Sequence, residues 1–176
     1  MTSTSDIVER LSKWSSCDIS DGLSKLGRAD GGFLEGLVLY SPEYQAGKTK
    51  IVGPVFTVKF APKSDSSAPK VKGNYIDQIP KDSVVFISQP APHVNACYGG
   101  LMSLRAQILG AKGVVIDGHL RDLQEHRDLG FPVRAIGHAT NAYASLADEH
   151  HSSCLREALA LRPVVLYVSH LKSTSM

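Results

Sequence analysis

Cysteine is scarce in this chain. Cys17, Cys97 and Cys154 are odd in number and far apart. That excludes a disulfide framework or a paired-thiolate zinc site, and points to reduced thiols in a cytoplasmic compartment. Long apolar runs are missing as well. No stretch approaches the roughly 20 residues of a membrane span, and MTSTSDIVERL lacks the basic start and apolar core of a secretory signal. Nor does one sign of charge dominate. Nineteen Lys and Arg are scattered among seventeen Asp and Glu, for a formal net charge of +2. Such a balance gives no electrostatic footprint for nucleic acid. Neither nucleic acid nor membrane is expected as a partner. Internal repeats and low-complexity segments are absent too.

What is present is an ordinary globular composition, 43% hydrophobic and 20% charged over 176 residues, enough for one domain with a core. Thr4 or Ser5 is expected to cap a first helix with Ile7, Leu11 and Trp14 on one face. A second helix is expected from Asp18, with Ile19, Leu23 and Leu26 aligned and Gly27 as its stop. Ile51 to Phe60 reads as a strand despite Pro54, and Lys63 to Lys72 as a mobile surface loop. The pattern then turns α/β. It predicts a strand at Ser83 to Ser88, a loop with Pro90, Pro92 and His93, and a helix from about Gly100 to Leu109. A buried strand Val114-Val115-Ile116 follows, then a turn at Asp117-Gly118, a helical piece from Arg121 to Leu129 and a strand from Phe131 to Ile136. Tyr143 to Leu161 reads as helix and Pro163 to Val168 as strand.

Chemistry concentrates between Tyr98 and Gly130. A helix starting on Gly99-Gly100 presents unpaired first-turn N–H groups and a positive dipole end, which favour a carboxylate or phosphate. The glycines serve equally well as a tight turn. Arg121 offers a planar fork for a carboxylate. Asp122 offers hard oxygens suited to Mg²⁺ or Mn²⁺. Together they could hold opposite ends of one 2-oxo acid. The plainer alternative is a surface arginine with Asp122 in a first helical turn. Elsewhere, Asp18 and Asp21 in CDISDG read as helix caps, and Glu125-His126-Arg127-Asp128 as a solvated helix face. His119 and His126 lack metal-ligand spacing. GAKGVV precedes a strand, so it is no dinucleotide fingerprint.

CDISDGL, NYID, YGGLMSLRAQ and VIDGHLRDLQEH…GFPV together resemble the RraA-like family, its eukaryotic-type members most. That family includes 4-hydroxy-4-methyl-2-oxoglutarate aldolases and oxaloacetate decarboxylases. The resemblance covers roughly residues 5–140, so 1–140 is read as an RraA-like domain. Residues 141–176 read as a divergent C-terminal tail, in place of the family's further strands and PGD…GD-type segment. The resemblance implies an α/β fold of the β/β/α, swivelling-domain-like kind, left incomplete at its C-terminal end. It implies homotrimers or hexamers with sites near subunit boundaries. It assigns Arg121 to the substrate carboxylate and Asp122 to a divalent ion, largely through water, with backbone groups of Gly99, Gly100, Leu101 and Met102 lining the substrate site. Where the family's bacterial aldolases commonly carry an acid, this chain has Gly100, which supplies backbone only.

The implied activity is a divalent-metal-dependent lyase, with Mg²⁺ or Mn²⁺ as cofactor and Arg121 and Asp122 as the catalytic pair. It cleaves a C–C bond of a 2-oxo acid by retro-aldol reaction or decarboxylation, through pyruvate enolate. No general base is visible in the sequence. The alternative is a non-catalytic RraA-like regulator that binds another protein, since some family members regulate ribonuclease E.

Overall fold

Continuous apolar runs build the centre of the sheet. Val84–Ser88 (β3, VVFIS) lies parallel to Gly113–Leu120 (β5), with Val84 opposite Gly113 and Ile87 opposite Ile116. Val133–His138 (β6) adds parallel on the far side of β5, and Val38–Ser41 (β1) closes that edge antiparallel. On the other side of β3 runs Lys50–Pro62 (β2), also parallel to β3. The valine-rich strands are buried on both faces, as parallel strands require. This computed structural model describes residues 3–62, 65–68, 71–89, 95–139, 150–153 and 165–169.

Two layers cover the sheet. On one face, Val58, Val85, Ile87, Val114, Ile116 and Val133 share a core with Tyr75, Ile76, Tyr98, Ala106 and Phe131. That core lies under Gly100–Ile108 (α3), Leu123–Asp128 (α4) and the 3-10 turn Tyr75–Gln78. On the other face a smaller cluster joins Ile51, Val84 and Val115 to Leu37 and Phe86. Besides β3, β2 serves two further ladders. Its first half pairs antiparallel with Val165–Ser169 (β8), and its last residues with His150–Ser153 (β7). Pro54 is tolerated in β2 where the strand passes from β8 to β3. The architecture is the expected β/β/α, swivelling-domain-like one.

The N-terminal helices, Thr4–Ser12 (α1) and Ser16–Lys25 (α2), start earlier than expected, α1 with its cap one residue before Thr4 and α2 two residues before Asp18. Ser3 and Ser15 are their caps. Asp6 and Asp18 reach back from the third helical position to complete capping boxes. Neither helix buries a residue, and Trp14 lies beyond α1, exposed.

Two expectations need correction. Asp117-Gly118 is not a turn, because β5 runs through it to Leu120 with a bulge between Ile116 and His119. Gln89 fills the irregularity: its N–H donates to the Asp117 carbonyl at 2.8 Å, and its side-chain oxygen accepts from the His119 N–H at 3.2 Å. The helix read over Tyr143 to Leu161 fails at His150–Ser153, which is strand β7. The rest of that helix, and the proline loop with Pro90, Pro92 and His93, lie outside the described residues. Part of the Lys63–Lys72 loop does as well, residues 65–68 and 71–72 of it being described.

Candidate functional site

Strand Ala96–Tyr98 (β4) pairs with the end of β5, with Tyr98 opposite Leu120. The Arg121 N–H donates to the Tyr98 carbonyl at 2.9 Å. The chain therefore leaves β4 into α3 and leaves β5 into α4 at the same place. Gly99 is the N-cap of α3 and has no side chain to cap it. Asp122 does so from across the gap, where its Oδ2 accepts the Gly100 N–H at 3.1 Å. Nε of Arg121 lies 3.3 Å from the same oxygen. A Cβ on Gly99 would stand only 2.6 Å from Asp122 Oδ2, so glycine is what admits the carboxylate.

Asp122 holds this position from a left-handed backbone, φ 61° and ψ 46°, at the N-cap of α4. Aspartate tolerates that region better than most residues, yet it is uncommon outside turns and functional sites. Both side chains of the pair remain partly open, Arg121 at 44% and Asp122 at 30%.

One acid was missed by the sequence reading. Glu125, one helical turn after Asp122, lays its carboxylate and Cβ against Gly100, in the space a side chain there would need. Gly100 thus makes room for an acid supplied by α4. The signal was available in RDLQE: residues three apart on a helix share a face.

The other expected residues divide. Leu101 follows the glycines and is 78% exposed, and its N–H makes no backbone hydrogen bond among the described residues. The Met102 N–H turns back to the Gly99 carbonyl at 3.1 Å, and its sulfur lies 3.9 Å from the Tyr75 hydroxyl. Met102 packs against the core. Of the backbone N–H groups of Gly99, Gly100, Leu101 and Met102, those of Gly100 and Met102 are engaged within the protein.

His126 is not on a solvated face. It is wholly buried, with both ring nitrogens within hydrogen-bond distance of protein atoms. Burial lowers its pKa. His119 sits against Gly137, and its Nδ1 is buried without a partner among the described residues.

Two carboxylates and one guanidinium leave the cluster with a formal charge of −1, which alone would repel a dicarboxylate. A divalent cation reverses that sign. Among the described residues no three His, Cys, Asp or Glu side chains gather as a ligand set. An ion held by Asp122 and Glu125 would keep most of its shell as water, which suits Mg²⁺. The donor set fits such an ion.

Fold and cluster together define a β/β/α protein whose polar centre is an acid-rich helix N-terminus with one arginine. The family model described as "RraA-like: Aldolase/RraA" matches residues 16–154, and the chain belongs to that family. Among curated proteins, DlpA of Legionella pneumophila is 30% identical over 133 residues, 75% of this chain but 20% of that protein. The chain thus spans about a fifth of that relative's length. A crystal structure of an uncharacterized protein from Pseudomonas syringae pv. tomato matches with TM-score 0.71 at 25% identity, over 96% of this chain and 74% of that one. Streptomyces coelicolor RraAS2, described as an unusual member of the RNase ES inhibitor RraA protein family, shares the fold at TM-score 0.63 and 24% identity, over 77% of this chain and 65% of its own.

Proposed function

We propose that this protein is a divalent-metal-dependent lyase that cleaves the C3–C4 bond of a small 2-oxo acid. Its substrates are 4-hydroxy-4-methyl-2-oxoglutarate, oxaloacetate or both. The observation that carries the reading is the convergence of Arg121, Asp122 and Glu125 on the N-terminus of α3. Asp122 and Glu125 would hold Mg²⁺ or Mn²⁺, which supplies Lewis-acid polarisation of the 2-oxo group. The Arg121 guanidinium binds a substrate carboxylate through paired N–H donors. The Leu101 N–H and the positive end of α3 add fixed dipoles where negative charge develops. In the retro-aldol reaction a base takes the C4 hydroxyl proton, the C4 oxygen forms a carbonyl as the C3–C4 electron pair passes to C3, and pyruvate enolate and a second pyruvate result. In decarboxylation the same bond breaks with loss of CO₂. Glu125, beside Gly100, would accept or return the proton through the carboxylate oxygen turned away from the ion. The enolate is common to both routes, so one site serves both.

Assay of pyruvate release from oxaloacetate with Mg²⁺ or Mn²⁺ tests this. Removing one preorganised charge-stabilising group costs ~100-fold or more, so Arg121→Ala and Asp122→Ala should each fall that far. Full activity in either variant would sink the mechanism. Folded wild-type protein that releases no pyruvate would instead favour the protein-binding regulator, the role named for the Streptomyces coelicolor homologue's family. An exposed apolar stripe on α3, Leu101, Leu104 and Ile108, supports a homotrimer or hexamer.

A further inference from the structure

His126 has no place in the chemistry above, yet it is 0% exposed directly beneath it. Its Nε2 lies 2.7 Å from the Arg121 carbonyl oxygen, and its Nδ1 lies 2.8 Å from Ser103 Oγ on α3. The ring stacks on Tyr98, with centroids 5.9 Å apart and planes at 16°. The Ser41 hydroxyl on β1 donates to the His126 carbonyl at 2.8 Å, which ties α4 to the sheet edge. The ring of this α4 residue therefore meets α3, β4 and the Arg121 carbonyl, and β1 joins at its backbone carbonyl.

The partners dictate where the proton sits. A carbonyl oxygen only accepts, so Nε2 must carry a hydrogen. A neutral ring protonated at Nε2 has a bare Nδ1, which accepts from the Ser103 hydroxyl. Reversing the tautomer would break the bond to the Arg121 carbonyl, because a bare Nε2 faces an oxygen that only accepts, while Ser103 Oγ could still accept from Nδ1–H.

The bond to the Arg121 carbonyl matters because of what comes next in the chain. Arg121 and Asp122 share the peptide to which that carbonyl belongs. Its orientation sets the left-handed Asp122 backbone, and that backbone aims the carboxylate at the Gly100 N–H. The peptide plane is the only covalent link between the two site side chains. We propose that His126, held in its Nε2–H form between Ser103 and the Arg121 carbonyl, is a positioning residue that fixes the Arg121–Asp122 peptide and so aligns both charged groups. The alignment stands on geometry alone. Its catalytic consequence rests on the lyase reading above.

Two variants separate positioning from packing. His126→Gln keeps an N–H donor near the Nε2 position. His126→Leu, combined with Ser103→Ala to avoid a stranded hydroxyl, keeps the volume and removes the donor. Three measurements are made on each and on the wild type: melting temperature, amide hydrogen exchange at Gly100, and kcat and KM for oxaloacetate decarboxylation with Mn²⁺. The double variant should exchange the Gly100 amide at least tenfold faster than His126→Gln. A misplacement of this kind costs up to ~100-fold in rate, so its kcat should fall by about that factor while His126→Gln stays within about threefold of wild type. Gly100 exchange that is equal in both variants would overturn the proposal. A wild-type ¹⁵N-histidine spectrum that shows the Nδ1–H form would overturn it as well, even if the double variant fails to fold. If wild type protects Gly100 as expected but releases no pyruvate, the lyase reading fails and the positioning role stands.

Discussion

At the scale of single residues, the site is decided by what glycine leaves out. Gly100 faces the Glu125 side chain so closely that a methyl group there must push α4 aside. Gly100→Ala is expected to destabilise the fold by about 1–3 kcal/mol, as overpacking does, and to lower activity with it. Urea denaturation reads the first, and an unchanged midpoint would show that Glu125 yields freely. Cys97 makes a second case. Burial pushes its thiol up to about 12, and the Sγ–H points at the His119 carbonyl 3.5 Å away. An unfolded thiol titrates near 8.5. The folded value is the higher one, so the stabilisation is complete below about pH 8.5 and is lost as pH rises through about 12. Unfolding free energies measured from pH 8 to pH 11 should fall more steeply in wild type than in Cys97→Ala. At pH 8 a thiol reagent should modify exposed Cys17 and spare Cys97 in the native state.

At the scale of elements, the readable parts were those with one local cause. The α3 start at Gly100 and the apolar heart of β5 follow from glycine placement and burial on both faces. The Gly27 and Gly110 stops, at φ +86° and +84°, follow from the left-handed backbone that ends a helix. Short strands were not legible. β1 (VLYS) and β4 (ACY) carry three or four residues each, and only their pairing with β6 and β5 makes them strands. The site shows the same division. Arg121, Asp122 and the glycine pair could be named because their chemistry is local. Glu125 and His126 could not, because their roles depend on α4 lying across the N-terminus of α3. His126 looked solvated because its neighbours Glu125, Arg127 and Asp128 are charged, yet a short helix can turn one polar residue inward if partners wait there. On α3, Leu101, Leu104 and Ile108 recur at helical spacing and stay exposed, 78%, 40% and 66%. Leu104→Glu with Ile108→Glu should shift an oligomer to monomer in sedimentation velocity. An unchanged oligomer would place the contact elsewhere.

At the scale of the whole molecule, β2 is the strand on which the C-terminal segment depends. We propose residues 1–140 as the RraA-like unit, with 141–176 as an added tail that returns β7 and β8 to β2. Without those two partners, both ends of a 13-residue strand would lose ladder hydrogen bonds. Long unpaired edges invite aggregation. Truncation after Thr140 should therefore yield a chain that still shows helical and sheet signals but self-associates, as light scattering would show. A monodisperse, cooperatively melting truncation would mean that the tail's strands are dispensable.

The meeting of β4 with β5 has a consequence for inheritance. Every polar group assigned to the site, with the histidine beneath it, lies between Gly99 and His126 on one strand–helix–strand–helix run. A graft of that run into a homologue should carry donors, acids and the buried ring together. Strand β1 lends the run only an anchor, the Ser41 hydroxyl on the His126 carbonyl, so a graft needs that one hydroxyl supplied by its new host.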